Sequence, residues 1–344
     1  MIYSLQKPIR RDFGEGFVKS SWKLLIAALY VGGFAPGLMT ASSTARAEDY
    51  PTRPLKAVVS YTAGSGADIL ARYFTEELAK SIGQPVIVEN RPGAGGNIGA
   101  NAVAKAAPDG YTMFVTPSAP VTGNFVLYKE LPYKFEDFAP VTSLVNVPFT
   151  LIVKGDSPVR NMADLTALIK AKAGKATYGV PTTTSIATTA LYLDEIGATA
   201  TPVPYKAAME ALRDVETGNI DFLIVDLTGA LGGLNRNGVR AIAMLDDERF
   251  PTFPDVPTTQ EQGLKNVKWV AEFFAVMPAH TPPEYIAKIT AKLNDILKRD
   301  DTREFLLKAG GLPHPGTSES LHKQMLARIE SWKRAIVLGK IKQL

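Results

Sequence analysis

Leu55-Lys56-Ala57-Val58-Val59-Ser60-Tyr61 runs straight into Thr62-Ala63-Gly64-Ser65-Gly66-Ala67-Asp68, and the reading of that join decides the fold. The first seven residues are mostly apolar and β-branched, which predicts a strand. Beyond the glycines, Ile69, Leu70, Tyr73, Phe74 and Leu78 recur at helical spacing and predict a helix over about 68–82. A strand, a glycine-bearing turn and a helix N-terminus together form a place to hold an anion. The first-turn N–H groups have no intrahelical partner, and the helix dipole favours negative charge there. For Asp68 the plainer role is preferred, that of capping the helix.

The same unit repeats downstream. Pro85–Asn90 predicts a second strand, Arg91–Gly99 a glycine-rich turn, and an Ala-rich helix follows to about Ala107. The glycines read G-x-G-G-x-x-G, and no acidic residue closes a following strand at the distance a dinucleotide fingerprint requires. Tyr111–Val115 is a third strand and ends in Thr116-Pro117-Ser118, placing hydroxyls at a strand's carboxyl end, where open α/β sheets bind ligands. Val141–Val153 reads as extended, with Pro148 as an interruption. A second series then begins: a helix over 162–173, a strand over 177–180, the hydroxyl-rich turn Pro181–Ser185 and a helix over 186–196. A strand over 201–205, a helix over 207–217, a strand over 220–225 closed by Asp226, and a strand over 240–244 come next. A strand over 273–277 and amphipathic helices over 282–298 and 318–336 end the chain. Strands alternating with helices predict an α/β fold of parallel or mixed sheets covered on both faces.

The 344 residues are enough for two domains, and 46% hydrophobic with 21% charged residues is the balance of a globular protein. The formal charge of +4 is confined to the leader: residues 1–47 hold six Lys/Arg and two acids, leaving 32 of each in the remainder. No polyanion-binding face follows, so nucleic acid is not an expected partner. Residues 1–47 are themselves ordered as a basic stretch to Lys23, an apolar core over 24–39 broken by glycines and Pro36, and a small-residue exit at Ala45-Arg46-Ala47. That is the order of a secretory signal peptide cleaved after Ala47, and the apolar core is short for a span. The mature protein is therefore expected in the periplasm and not embedded in the membrane. Arg10-Arg11-Asp12-Phe13 leaves twin-arginine export open beside the general route.

Enzyme chemistry finds little support. With no cysteine there is no thiol nucleophile and no thiolate metal site. His280, His314 and His322 show no ligand spacing, the Gly64-Ser65-Gly66 turn is not G-x-S-x-G, and the carboxylates form no close pair. No cofactor, no metal and no catalytic residue is expected. The loops instead offer N–H groups and hydroxyls, neutral donors suited to holding a carboxylate.

Tyr50-Pro51-Thr52-Arg53-Pro54, Gly64-x-x-x-Asp68, Gly83-Gln84-Pro85-Val86-x-Val88-Glu89-Asn90-Arg91-Pro92-Gly93-Ala94-Gly95-Gly96-x-Ile98-Gly99 and Ala107-Pro108-Asp109-Gly110-Tyr111-Thr112 resemble the solute receptors of tripartite tricarboxylate transporters, the Bug family. Leu131-Pro132-Tyr133, Asp137–Val141, Pro204-Tyr205-Lys206 and Phe253–Thr258 extend the resemblance over the whole mature chain. It implies a type II periplasmic binding-protein fold, two α/β lobes with mixed sheets closing on a hinged ligand cleft. The first lobe is then 48–150 with 271–344, and the second is 151–270. It further implies an extracytoplasmic, monomeric receptor that captures a small carboxylate-bearing molecule and delivers it to the membrane components of such a transporter. A ligand sensor of the same fold, working with a signalling membrane partner, is the alternative, and an enzyme on this scaffold a second one.

Carried over residue by residue, the ligand contacts of the first lobe fall on Tyr61, Thr62, Gly64, Ser65 and Ala67, with Thr116 and Ser118 nearby. Those of the second fall on Thr182, Thr183, Thr184, Ser185 and Asp226, and Tyr205 belongs to the same lobe. Ser65 and Thr184 are expected to serve the ligand without affecting the melting of the free protein. The chain departs from the family at Ser65 and His280, where glycines are usual, at Thr188, where a histidine is common, and at Glu272 and Phe274. If Phe274 faces the cleft it adds an aromatic wall, and an ionised Asp226 disfavours a second carboxylate.

Overall fold

The computed structural model describes residues 50–338 and 341–344, so the expected signal peptide and its cleavage after Ala47 lie outside the described residues. β1 (Leu55–Val59), α1 (Gly66–Ile82), β2 (Val86–Asn90), α2 (Asn97–Ala104), β3 (Thr112–Pro117) and the one-turn α3 (Asn124–Leu127) come first. β4 (Phe138–Lys154) leads to α4 (Met162–Ala171), β5 (Thr177–Val180), α5 (Thr183–Glu195), β6 (Thr201–Pro204), α6 (Ala208–Thr217), β7 (Phe222–Asp226), α7 (Leu227–Asn235) and β8 (Val239–Met244). β9 (Val270–Pro278), α8 (Pro283–Leu297), α9 (Asp300–Lys308), β10 (Leu312–Pro313) and α10 (Ser318–Leu338) follow.

β4 organises these elements into two mixed sheets. Its first part, to Pro148, runs antiparallel to β9, which lies beside β3, β1 and β2 in turn, and β10 pairs on its other edge. From Phe149 onward β4 changes partners, to β7 on one edge and β8 on the other, with β5 and β6 beyond β7. Pro148 is therefore no interruption. It sits opposite Val270, at the point where pairing switches from one sheet to the other, and a residue without an N–H is tolerated where a ladder is being handed over. The two crossings are tied together by Phe149 N–H to Trp269 O (3.2 Å), Leu245 N–H to Phe149 O (2.8 Å) and Trp269 N–H to Leu245 O (2.7 Å).

Period-two alternation fixes which residues each face buries. On the first sheet Leu55, Ala57, Val59, Met113, Val115, Phe273 and Ala275 pack against Leu70, Phe74 and Leu78 of α1 and Ile289 and Leu293 of α8. The opposite face carries Val58, Phe114, Phe274 and Val276 against Ala100 and Val103 of α2 and Leu321 and Met325 of α10. The second sheet repeats this, with Leu151, Val153, Phe222 and Ile224 on α4 and α5, and Ile152, Leu223, Val225 and Val239 on α6 and α7. α10 joins the two bodies: Leu321 and Met325 enter the first core, Trp332 and Ala335 the second.

The sequence leaves α7 and α9 unassigned. α7 carries Gly229, Gly232 and Gly233 and has weak intrinsic preference for helix, so its shape depends on burial of Leu227 and Ala230 and on its Asp226 cap. α9 is mostly charged and buries only Thr302 and Leu306. No helix among the described residues is long and apolar enough to cross a membrane.

Trp332 is 1% exposed, lies edge-to-face on Trp269 with centroids 4.8 Å apart, and occupies the space a Cβ on Gly123 would need, its nearest ring atom being 2.3 Å away. Trp332→Ala should cost about 3–5 kcal/mol in urea unfolding, as deletion of a buried aromatic does. Leu326→Ala on the same helix, 45% exposed, should stay within about 0.5 kcal/mol.

Candidate functional site

The turn after β1 is held by a reciprocal pair at the start of α1. Ser65 is the N-cap residue, and its Oγ accepts from Asp68 N–H (3.3 Å), while Asp68 Oδ2 accepts from Gly64 N–H (2.8 Å). This corrects one expectation: Asp68 is not the cap but a first-turn acid. Gly64, in the left-handed region at φ +78°, donates its N–H to that acid. Asp68 also accepts from Arg72 Nε (2.8 Å) and Asn90 Nδ2 (2.7 Å), and Asn90 reaches back to Tyr61 O (3.0 Å). Burial tends to raise the Asp68 pKa, but these hydrogen bonds outweigh it and hold the carboxyl below the usual range. The first intrahelical bond runs from Ile69 N to Ser65 O, so the Gly66 and Ala67 N–H groups stand ahead of it at the helix end.

The second-lobe turn is built alike. Thr182 caps α5, its Oγ1 accepting from Ser185 N–H (3.2 Å) and lying 3.0 Å from Ser185 Oγ. Ser185 is fully buried. Thr184 is half-buried, and its carbonyl accepts from Thr188 Oγ1 (3.0 Å). Asp226 caps α7 by accepting from Gly229 N–H at Oδ1 (2.9 Å).

Two close approaches bring the lobes together at these turns. A Cβ on Gly66 would lie 2.6 Å from Thr228 Cγ2 and 3.5 Å from Gly229 N, so the start of α1 abuts the start of α7. A Cβ on Gly95 would lie 2.6 Å from the Tyr128 hydroxyl and 2.9 Å from Thr183 Oγ1, so the glycine-rich turn abuts the start of α5. Of the superficially nucleotide-like glycines of 93–99, Gly95 serves this close approach, while Gly96 and Gly99 pack against Pro120 and Ser60. Gly95 and Gly96 also take left-handed φ, and a Cβ on Gly99 would be 3.1 Å from the Ser60 backbone.

Tyr61, Tyr128, Thr183 and Asp226 share one electrostatic environment. Burial raises the Tyr61 pKa, and the Asp226 and Tyr128 groups raise it further. Burial also raises Tyr128, partly offset by a hydrogen bond with Thr183. Asp226 is raised by burial, with the N–H of Gly229 and its own N–H pulling the other way. Tyr61 and Asp226 are both half-buried.

Other expected residues have partners or exposures of their own. Thr116 is fully buried and spends its hydroxyl on Ser60 Oγ (2.8 Å) and Pro117 O (3.1 Å), bracing β1 against β3. Ser118 follows it and donates its N–H to Glu272 O (2.7 Å), and its hydroxyl plays no part in capping the turn after it. Thr62 is exposed. Phe274 is fully buried among Val58 and Phe114, so the aromatic wall is absent. Glu272 is paired with Arg328 (2.5 Å) and Gln324 (2.8 Å), and Tyr205 donates to Asp214 (2.6 Å), both structural uses. His280 adopts φ +65°, which accounts for a glycine being usual there. Sequence reading missed Tyr128, which lies on no recognisable strand-end turn, and Thr228, which stands two residues beyond Asp226 in a helix the sequence leaves unassigned. Thr228 carries a buried Oγ1 with no partner among the described residues.

A separate cavity of about 390 Å³ lies against β4, β9 and α10, lined in part by Asn146, Asp246, Lys268, Glu272, His314 and Arg328. Its charges are largely spent on one another: Lys268 with Asp246 and Asp247, Arg328 with Glu272. No cluster of potential metal ligands occurs among the described residues.

Two mixed α/β sheets that share a crossing strand and enclose a cleft define a type II periplasmic binding-protein fold, a class that captures solutes. The chain belongs to the tripartite tricarboxylate transporter receptor family, whose pattern it matches over residues 70–340. Protein BugT of Bordetella pertussis is 33% identical over 292 residues, 83% of this chain and 89% of BugT. A Rhodopseudomonas palustris protein solved with adipate superposes with a TM-score of 0.83 at 29% identity, covering 86% of this chain and all of that one. MatC from the same organism, with bound malate, superposes at 0.77 and 28% identity over 83% of this chain and all of MatC. The protein is accordingly a solute-binding receptor and not an enzyme.

Because Ser65 is a cap, Ser65→Ala should lower stability of the free protein by about 1 kcal/mol in chemical denaturation. The Asp68 carboxylate, held below its unfolded pKa, stabilises the fold above about pH 4 and loses that contribution as pH falls through the folded value. Asp68→Asn should therefore flatten the acid limb of a melting-temperature profile. Gly66→Val, placing bulk against Thr228, should weaken ligand affinity by at least about tenfold while leaving urea unfolding of the free protein much less affected.

Proposed function

We propose that this receptor captures a small carboxylate-bearing molecule between its lobes, outside the cytoplasm, and delivers it to the membrane components of a tripartite tricarboxylate-type transporter. The observation that carries the reading is the convergence of three helix N-termini, those of α1, α5 and α7, around Tyr61, Tyr128, Thr183 and Asp226. Helix starts from both lobes offer N–H groups and favourable dipoles to an anion, and hydroxyls at Ser65, Thr182, Thr183, Thr184 and Ser185 stand beside them. Adipate and malate in the two Rhodopseudomonas palustris structures support the choice of a carboxylate. The basic, apolar and small-residue order of residues 1–47 supports export to the periplasm and cleavage after Ala47.

The lobes are taken as 48–150 with 271–344 and 151–270, with the hinge at the paired crossings near Phe149 and Trp269. Each lobe supplies part of the site, so ligand shifts the open–closed equilibrium by its differential affinity for the closed state. Because ligand binds only the native protein, it raises apparent stability. A thermal-shift screen against mono-, di- and tricarboxylates, aromatic acids and amino acids should reveal stabilising ligands. If no carboxylated compound shifts the melt, the ligand class is wrong. Thr184, half-buried at the start of α5, is the cleaner probe: Thr184→Ala should weaken binding while changing free-protein stability by less than about 0.5 kcal/mol.

A further inference from the structure

Asp226 is a cleft carboxylate without a cation. One of its oxygens accepts Gly229 N–H at 2.9 Å, and no basic side chain among the described residues is paired with it. The side chain that faces it from the first lobe is neutral, the phenol of Tyr61, with Tyr128 beyond; the start of α1 approaches it through Gly66, against Thr228 and Gly229. The arginines flanking the first-lobe loops are committed elsewhere, Arg72 to Asp68 and Asn90, Arg91 to Glu89. The binding cleft thus combines helix N-termini, which favour an anion, with one acidic side chain that lacks a partner.

We propose that Asp226 is a specificity-determining residue that selects a ligand carrying a protonated amine together with its carboxylate, and disfavours a dicarboxylate. The inference rests on the carboxylate reading above and goes beyond it by assigning the group at the ligand's other end. A carboxylate withdrawn from water is destabilised unless paired, and Asp226 has backbone N–H partners but no cation beside it. A ligand ammonium supplies the missing charge and three N–H donors. A second ligand carboxylate supplies no such charge and repels the ionised form of Asp226, whereas an ammonium favours that form, a difference that binding sites use for discrimination.

The test measures calorimetric affinity of the purified protein for two matched series, the dicarboxylates succinate, glutarate and adipate, and the amino acids 4-aminobutanoate, 5-aminopentanoate and 6-aminohexanoate. Alanine against propionate and serine against 3-hydroxypropanoate extend it to shorter ligands. Wild type should favour the amine-bearing member of its best pair by at least about tenfold. Asp226→Asn keeps an effective N-cap on α7 and should remove that preference, lowering amine affinity and raising dicarboxylate affinity. Dicarboxylates bound as tightly as their amine counterparts, or a preference unchanged in Asp226→Asn, overturns the assignment while leaving the carboxylate receptor intact. Failure of every compound in both series overturns the carboxylate reading itself and this proposal with it.

Discussion

The backbone groups of β4 must be satisfied along its whole length, and no single sheet does so. Up to Pro148 the strand is paired with β9 and β10, and beyond it with β7 and β8. That continuous ladder is what places the two sheets relative to each other. Phe149, Leu245 and Trp269 knit the two crossings together, and α10 places Leu321 and Met325 in one core and Trp332 in the other. Two bodies joined by paired strands at one edge are free to differ elsewhere mainly in how far their facing edges part, and the proposed site lies on those edges.

At those edges the local chemistry recurs. Ser65, Thr182 and Asp226 each stand at a strand-to-helix turn, and each accepts an N–H from its helix's first turn. Capping uses some of the donors a ligand could take and orients the rest. Gly66 and Gly95 then allow the turns of opposite lobes to come within van der Waals contact of Thr228, Tyr128 and Thr183. Small residues at these points let the turns approach, while the caps are a requirement of each lobe's own stability. Ser65 is one of the caps, so its hydroxyl already serves α1.

Much of the fold was legible because apolar alternation and helical spacing are local properties. The strand over 177–180 matched to the residue, and β1, β2, β3 and α1 fell within a few residues of expectation. The exceptions have physical causes. Pro148 suggested a break where β4 in fact exchanges partners, α7 is glycine-rich and depends on Asp226 and buried Leu227, and α9 is too polar to show a stripe. Within the site, residues at strand ends were readable, yet Thr116 turned inward to Ser60 and Phe274 into the core, because side-chain direction depends on sheet register. Tyr128 follows a single helical turn with no periodic signal and was not readable at all.

By itself the sequence determined the α/β class, the cysteine-free and charge-balanced body behind a basic leader, and the hydroxyl- and glycine-bearing turns after Tyr61, Val180 and Val225, since these are set by local composition and spacing. Tertiary structure decided which donors remain available and what faces them. Gly64 N–H is taken by Asp68 rather than left for a ligand, and Asp226, remote in sequence from Tyr61, lies close enough to perturb it. Only the folding of β4 through two sheets brings those residues together, and the electrostatics of the cleft follow from that approach.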